Sequence, residues 1–295
     1  MRAAAFLIPV LAVSTLVAAE APKKELVKTE SLASVSSFKP GEPFKVGIRF
    51  KIEPEWHIYW INPGESGEAT MVEWTFPEGY KVGPTEYPVP VNFLQPGDIK
   101  GYGYLDEVML MATVTPPADA RPGTEVPYSA EAKWLVCHDV CIPGKASFDG
   151  KLTVASSATP TNEQLFKNWT QRLPVWDFPR IKDVVAGTKW SQPNGSDGPF
   201  ELIVNWANQP PAKVEWFIGT PSDIMLKDES SSTDGSQSKL TFTPVPVPDQ
   251  IIKVPVVVAF TDAAGKRQGV EFSFKLGKGP AVPKGQAAAS GNNPQ

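Results

Sequence analysis

Short runs in which apolar and polar residues alternate recur along most of this chain. Phe44, Val46, Ile48, Phe50 and Ile52 alternate strictly with other residues, which predicts a strand with one buried face. Trp56 to Trp60 follows after Glu53-Pro54-Glu55. As a strand it puts Trp56, Ile58 and Trp60 on one side and His57 and Tyr59 on the other. On this pattern alone His57 reads as a half-buried strand residue with a local hydrogen bond. Met71 to Phe76 and Val108 to Val114 are further strands, and Met109 and Met111 are expected to pack rather than bind metal. Residues 84–96 are proline-rich and expected to be irregular, and residues 95–103 are expected to form a turn-rich loop. Tyr128 to Val136 reads as a strand, with Ala130, Ala132, Trp134 and Val136 on one face. A second strand follows through Ala146, Phe148, Leu152 and Val154.

The pattern changes after residue 155. Residues 156–161 are small and linker-like. Thr161-Asn162-Glu163-Gln164 fits a capping box, and Leu165, Phe166, Trp169 and Leu173 give one face of a short helix ending before Pro174. Strands are then expected at 200–206, 213–218, 240–242, 251–260 and 270–276, with a polar, mobile loop at 230–238. The chain therefore reads as all-β: a first β domain at 38–155, a linker and helix at 156–173, and a second, smaller sandwich-like domain at 174–277. Residues 20–37 are polar and expected to be loosely held, and 278–295 are low-complexity and expected to be disordered.

Composition sharpens this picture. The 31 prolines and 23 glycines among 295 residues fit a protein of many turns. The formal net charge is −4 and the basic residues form no block, which argues against a nucleic-acid partner. Residues 1–19 carry Arg2, then an apolar stretch, then Val17-Ala18-Ala19, the pattern of a secretory leader. Export, to the periplasm or beyond, places the chain where disulfides persist.

The chemistry then narrows to Cys137 and Cys141, the only cysteines in the sequence. With His138, Asp139 and Val140 as the loop of a hairpin, the two would oppose one another across its neck, close enough for a disulfide. Three readings are open. A structural staple closing so short a loop would contribute only about 2 kcal/mol. Cu(I) could be held by Cys137, Cys141 and His138, because thiolates select soft metals. The third is an exchangeable redox pair that needs no cofactor beyond its own disulfide. His138, when charged, would favour a neighbouring thiolate and Asp139 would oppose it. No hydrolase, phosphate-loop or metalloprotease signature is present, and the second half has no cysteine or histidine.

The motifs of the first half resemble the N-terminal periplasmic domain of the DsbD-family thiol:disulfide interchange proteins. The nearest likeness is to the ScsB-like branch, associated with copper tolerance. The resemblance is carried by residues 56–64 (WHIYWINPG), 87–90 (YPVP), 101–108 (GYGYLDEV) and 134–143 (WLVCHDVCIP), in that order. It implies an immunoglobulin-like fold whose cysteine pair takes reducing equivalents from a partner and passes them to exported disulfide proteins. It further implies that Asp98, Ile99 and Lys100 form a cap over the pair, that His57 and Tyr59 are its aromatic neighbours, and that Cys141 forms the mixed disulfide. The best-known members space their cysteines by five residues, whereas three separate them here, as in the ScsB-like branch. The 295 residues include neither a transmembrane transporter nor a thioredoxin-like domain. The expected partners are therefore a separate membrane electron transporter of DsbD type and thioredoxin-like exported proteins.

Overall fold

A computed structural model describes residues 25–175, 183–191, 199–221, 223–262 and 265–278. The leader expected at 1–19 and the tail beyond Lys278 lie outside these residues. The first half is two packed sheets. One orders β1 (Val27–Ala33), β3 (Phe44–Ile52), β9 (Glu107–Thr115) and β6 (Lys81–Val82). The other orders β12 (Thr159–Pro160), β2 (Val35–Phe38), β11 (Cys141–Val154), β10 (Glu125–Cys137), β4 (His57–Gly64), β8 (Ile99–Leu105) and β7 (Val91–Gln95), with β5 (Met71–Thr75) also paired to β10. Ile48 and Phe50 face Ile58, Trp60, Ala130, Ala132 and Val136 across a buried interior, and Val46 packs in an adjoining cluster with Phe38, Val126 and Leu152. Strict alternation in β3 and β10 turns one set of side chains inward and the other outward.

The second half is also two sheets: β13 (Val185–Ser191), β14 (Phe200–Trp206), β17 (Gln237–Val245) and β16 (Met225–Asp234), against β15 (Val214–Ile218), β18 (Ile252–Thr261) and β19 (Arg267–Leu276). Leu202, Val204 and Phe242 pack on Val256, Val258 and Phe274 between them. Both halves are thus β-sandwiches, and among the described residues the only α-helix is the short α1 (Glu163–Thr170).

The halves share a core. Phe217, Val257 and Ala259 belong to the same buried cluster as Ile58, Trp60 and Tyr102. The Phe217 ring meets Trp60 and Tyr102 edge-on at 6.0 and 5.3 Å. Buried Asn62 donates through Nδ2 to the Ile218 carbonyl and the Thr220 hydroxyl. Phe166 and Trp169 of α1 are buried with the first half, as are Met109 and Met111.

Four local expectations change. Residues 27–38 are not loose but form β1 and β2, because Val27, Ala33, Val35 and Phe38 supply enough buried contacts to fix them. Residues 91–105 are not an irregular loop but a hairpin, turning at Pro96-Gly97-Asp98 with positive φ at Gly97 and Asp98. Residues 230–238 are the end of the β16–β17 hairpin, held by backbone pairing although its side chains are mostly exposed. The capping box does not form. Asn162 is the N-cap, and its amide donates instead to the Ala33 carbonyl at 3.1 Å.

Candidate functional site

Cys137 and Cys141 are register partners at the neck of the β10–β11 hairpin and form a disulfide, with Cα atoms 4.2 Å apart. His138, Asp139 and Val140 are the connecting loop, closed by a hydrogen bond from the His138 N–H to the Val140 carbonyl. The two sulfurs occupy different positions in the sheet. Cys137 ends β10, between β11 on one side and β4 on the other, and is fully buried. Cys141 begins β11, whose other neighbour, β2, pairs only with Thr153 and Val154 at the far end. Among the described residues the strand is therefore a sheet edge at Cys141, and the residue is exposed.

A row of register partners crosses four strands here: Cys141, Cys137, His57 and Leu105. Partners in a row share a face, so His57 stands beside the disulfide on the face opposite Ile58 and Trp60. His57 is buried; its Nε2 lies 3.2 Å from the Tyr59 hydroxyl, which donates to Gln95 Oε1 at 2.9 Å. The Phe93 ring lies 4.1 Å from the imidazole, centre to centre. Gly101, the register partner of Phe93, makes this possible. A Cβ there would fall 2.1 Å from the Phe93 ring. Tyr59 is covered in turn by Gly67, where a Cβ would fall 2.3 Å from its ring.

Burial, and secondarily the neighbouring His138, push the His57 pKa down to about 4, so His57 is neutral near pH 7. Burial pushes Tyr59 up to about 12. On the solvent side, His138 Nδ1 lies 3.1 Å from Asp139 Oδ2 and its ring 5.8 Å from Trp56. Val140 is 60% exposed and Leu105 43%, so apolar surface lies at both ends of the row.

The structure thus gathers Cys137, Cys141, His138, Asp139, His57 and Tyr59. Asp98, Ile99 and Lys100 lie elsewhere on the same sheet, at the turn of the β7–β8 hairpin. Lys100 is tied to Glu65 through its backbone N–H at 2.8 Å and to Glu229 through Nζ at 3.3 Å. The residue of that hairpin packed on His57 is Phe93. Sequence reasoning singled out neither Phe93 nor Gln95, and only the spacing of Gly101 and Gly103 in β8 hinted that a ring must cross there. Among the described residues no group of three or more His, Cys, Asp or Glu side chains is arranged to hold a metal. In this disulfide form the two sulfurs are bonded to each other, and His138 Nδ1 faces Asp139.

Residues 23–153 match the family described as thiol:disulfide interchange protein DsbD, N-terminal. The fold is similar to the N-terminal periplasmic domain of ScsB from Proteus mirabilis, with a TM-score of 0.62 and 18% identity over 88% of this chain and 97% of that one. The N-terminal domain of Neisseria meningitidis DsbD in its reduced form aligns at 18% identity over 42% of this chain and 85% of that one, with a TM-score of 0.27. A comparison with curated proteins gave no match. Residues 23–153 are thus similar to the DsbD N-terminal family.

Proposed function

We propose that Cys137–Cys141 is an exchange centre of an exported protein, carrying reducing equivalents between a separate donor and exported thioredoxin-like proteins. The donor would be a membrane transporter of DsbD type or a thioredoxin-like domain. The observation that carries this reading is the asymmetry of the disulfide: one sulfur fully buried between two strands, the other exposed on a sheet edge. A staple has no need of an exposed end, whereas exchange requires one sulfur to be reachable and the other to be kept for resolution. The apolar leader supports export to the periplasm.

A donor thiolate attacks Cys141 Sγ, the Cys137–Cys141 bond breaks, and Cys137 leaves as a thiolate that takes a proton. The donor's second thiolate then attacks its own sulfur in the mixed disulfide and releases Cys141. Two electrons and two protons pass to the pair, and the donor becomes a disulfide. The same steps in reverse reduce an acceptor disulfide, with Cys141 attacking and Cys137 resolving. Val140 beside Cys141 offers an apolar contact to the incoming domain, and His138 and Asp139 set the local charge.

Cys137→Ser should therefore trap a covalent complex with a thioredoxin-fold partner on non-reducing electrophoresis, and Cys141→Ser should give little or none. Trapping in the Cys141→Ser protein alone would reverse the roles, and trapping in neither would return the disulfide to a structural part.

A further inference from the structure

The β7–β8 hairpin has two working faces. Alternation along its strands sends Phe93 and Gln95 to one side and Asn92, Lys100 and Tyr102 to the other. The first side covers His57 and Tyr59 beside the disulfide. The second is gripped by the other half of the chain. Asn92 Nδ2 donates to Glu215 Oε1 at 2.9 Å, Lys100 Nζ pairs with Glu229 at 3.3 Å, and Tyr102 meets Phe217. Just before the hairpin, Arg267 Nη2 donates to the Pro90 carbonyl at 2.7 Å. Glu215 anchors both strands of contact. Burial opposes its charge, but hydrogen bonds from Arg267 and Asn92 more than offset this and hold its carboxyl below the usual range.

Beside these contacts lies a cavity of about 520 Å³, bordered by Asn92, Phe93, Leu94, Glu215, Trp216 and Glu229. Phe93 thus packs on His57 and also borders this cavity. The grip is light at its outer end, because Lys100 is 50% exposed and its pair with Glu229 is screened by solvent.

We propose that the second half positions this hairpin: Lys100–Glu229 and Asn92–Glu215 set how closely Phe93 covers His57, and through that how readily the Cys137–Cys141 disulfide exchanges. These four are positioning residues that act through Phe93. The inference rests on the exchange reading, and it gives the second half a role in that reaction.

The test uses the full chain. His57 is followed by NMR titration, and reduction of the disulfide by dithiothreitol is timed. In the wild type the His57 midpoint is expected at about 4, held down chiefly by burial. Lys100→Glu sets like charge against Glu229. It should move the His57 midpoint upward towards 6.5 and raise the reduction rate about twofold to fivefold, the scale of a partly exposed ion pair. Asn92→Ala should move both readouts the same way. The exchanged pair Lys100→Glu with Glu229→Lys should restore both, which loss of a merely structural contact would not require. A His57 midpoint and a reduction rate unchanged in both single variants would overturn the proposal. Failure of the exchange reading shows separately, as a wild-type reduction potential well below about −300 mV, and the His57 midpoint still reports on the hairpin in that case.

Discussion

Acidification should destabilise this protein through one residue before its carboxylates titrate. His57 is buried against Phe93 and Tyr59, and burial dominates its environment, with His138 adding to the same effect. In the folded state its pKa is held down to about 4, from an ordinary 6.5. The unfolded chain therefore binds a proton between those values that the folded chain refuses. The stability gained by keeping His57 neutral is complete above pH 6.5 and is lost as pH falls towards 4. At about 1.4 kcal/mol per unit, the full loss is about 3 kcal/mol, of which about 2 kcal/mol falls between pH 6.5 and 5. The assay is urea unfolding followed by tryptophan fluorescence at pH 7, 6, 5.5 and 5, with linear extrapolation. The reference is His57→Gln, which keeps a donor for Tyr59 and cannot titrate. Every other group is common to both proteins, so the difference between the two pH profiles isolates His57. The wild type should lose about 2 kcal/mol more than His57→Gln over this window. Parallel profiles would refute the reasoning, because they would mean that His57 takes its proton as easily folded as unfolded.

Two further outcomes follow from the packing. Phe217→Ala empties a fully buried site shared by Trp60 and Tyr102 and should cost about 3–5 kcal/mol; calorimetry should show the transition of the first half lowered with that of the second, and an unmoved first-half transition would mean the halves do not share a core. Reducing the disulfide should cost only about 2 kcal/mol, because the loop it closes is so short, and a chain that unfolds on reduction at neutral pH would mark the bond as a staple.

Much of the fold was legible because its strands are amphipathic. Phe44 to Ile52 and Tyr128 to Val136 declared themselves by period, and the two cysteines located the hairpin neck. The strands that escaped are those whose order comes from neighbours. Ser230 to Asp234 has the composition of a loop and becomes a strand because Leu240, Lys239 and Ser238 pair with it. Val91 to Gln95 follows a proline-rich stretch, and its alternation is too short to stand out until Gly101 and Gly103 on β8 give it a register. Thr161-Asn162-Glu163-Gln164 has the letters of a capping box, but a tertiary acceptor, the Ala33 carbonyl, takes the Asn162 amide. The site divides the same way. Cys137, Cys141, His138 and Asp139 are contiguous in sequence and could be grouped by eye. The Phe93 and Gln95 contacts with His57 and Tyr59 span more than thirty residues and are set by cross-strand register, which the letters alone do not fix.

The difference between the two cysteines is a matter of sheet position. Strand β10 has partners on both edges at Cys137, whereas among the described residues β11 is unpartnered along one edge until Thr153. Pro143 lies on that free stretch, where a residue without an N–H is tolerated because the edge asks for no donor. An open edge of this length would also invite unwanted strand pairing. Lys145, Asp149 and Lys151 alternate along it as exposed charges, the feature by which edge strands resist such pairing. Between Cys141 and Pro143 no such charge intervenes, and the loop before them carries exposed Val140. The edge is therefore guarded along its charged stretch and open beside one sulfur. On the proposed exchange reading, a partner would approach Cys141 there without separating any paired strands, with Cys137 held behind it, within bonding distance, to resolve the mixed disulfide.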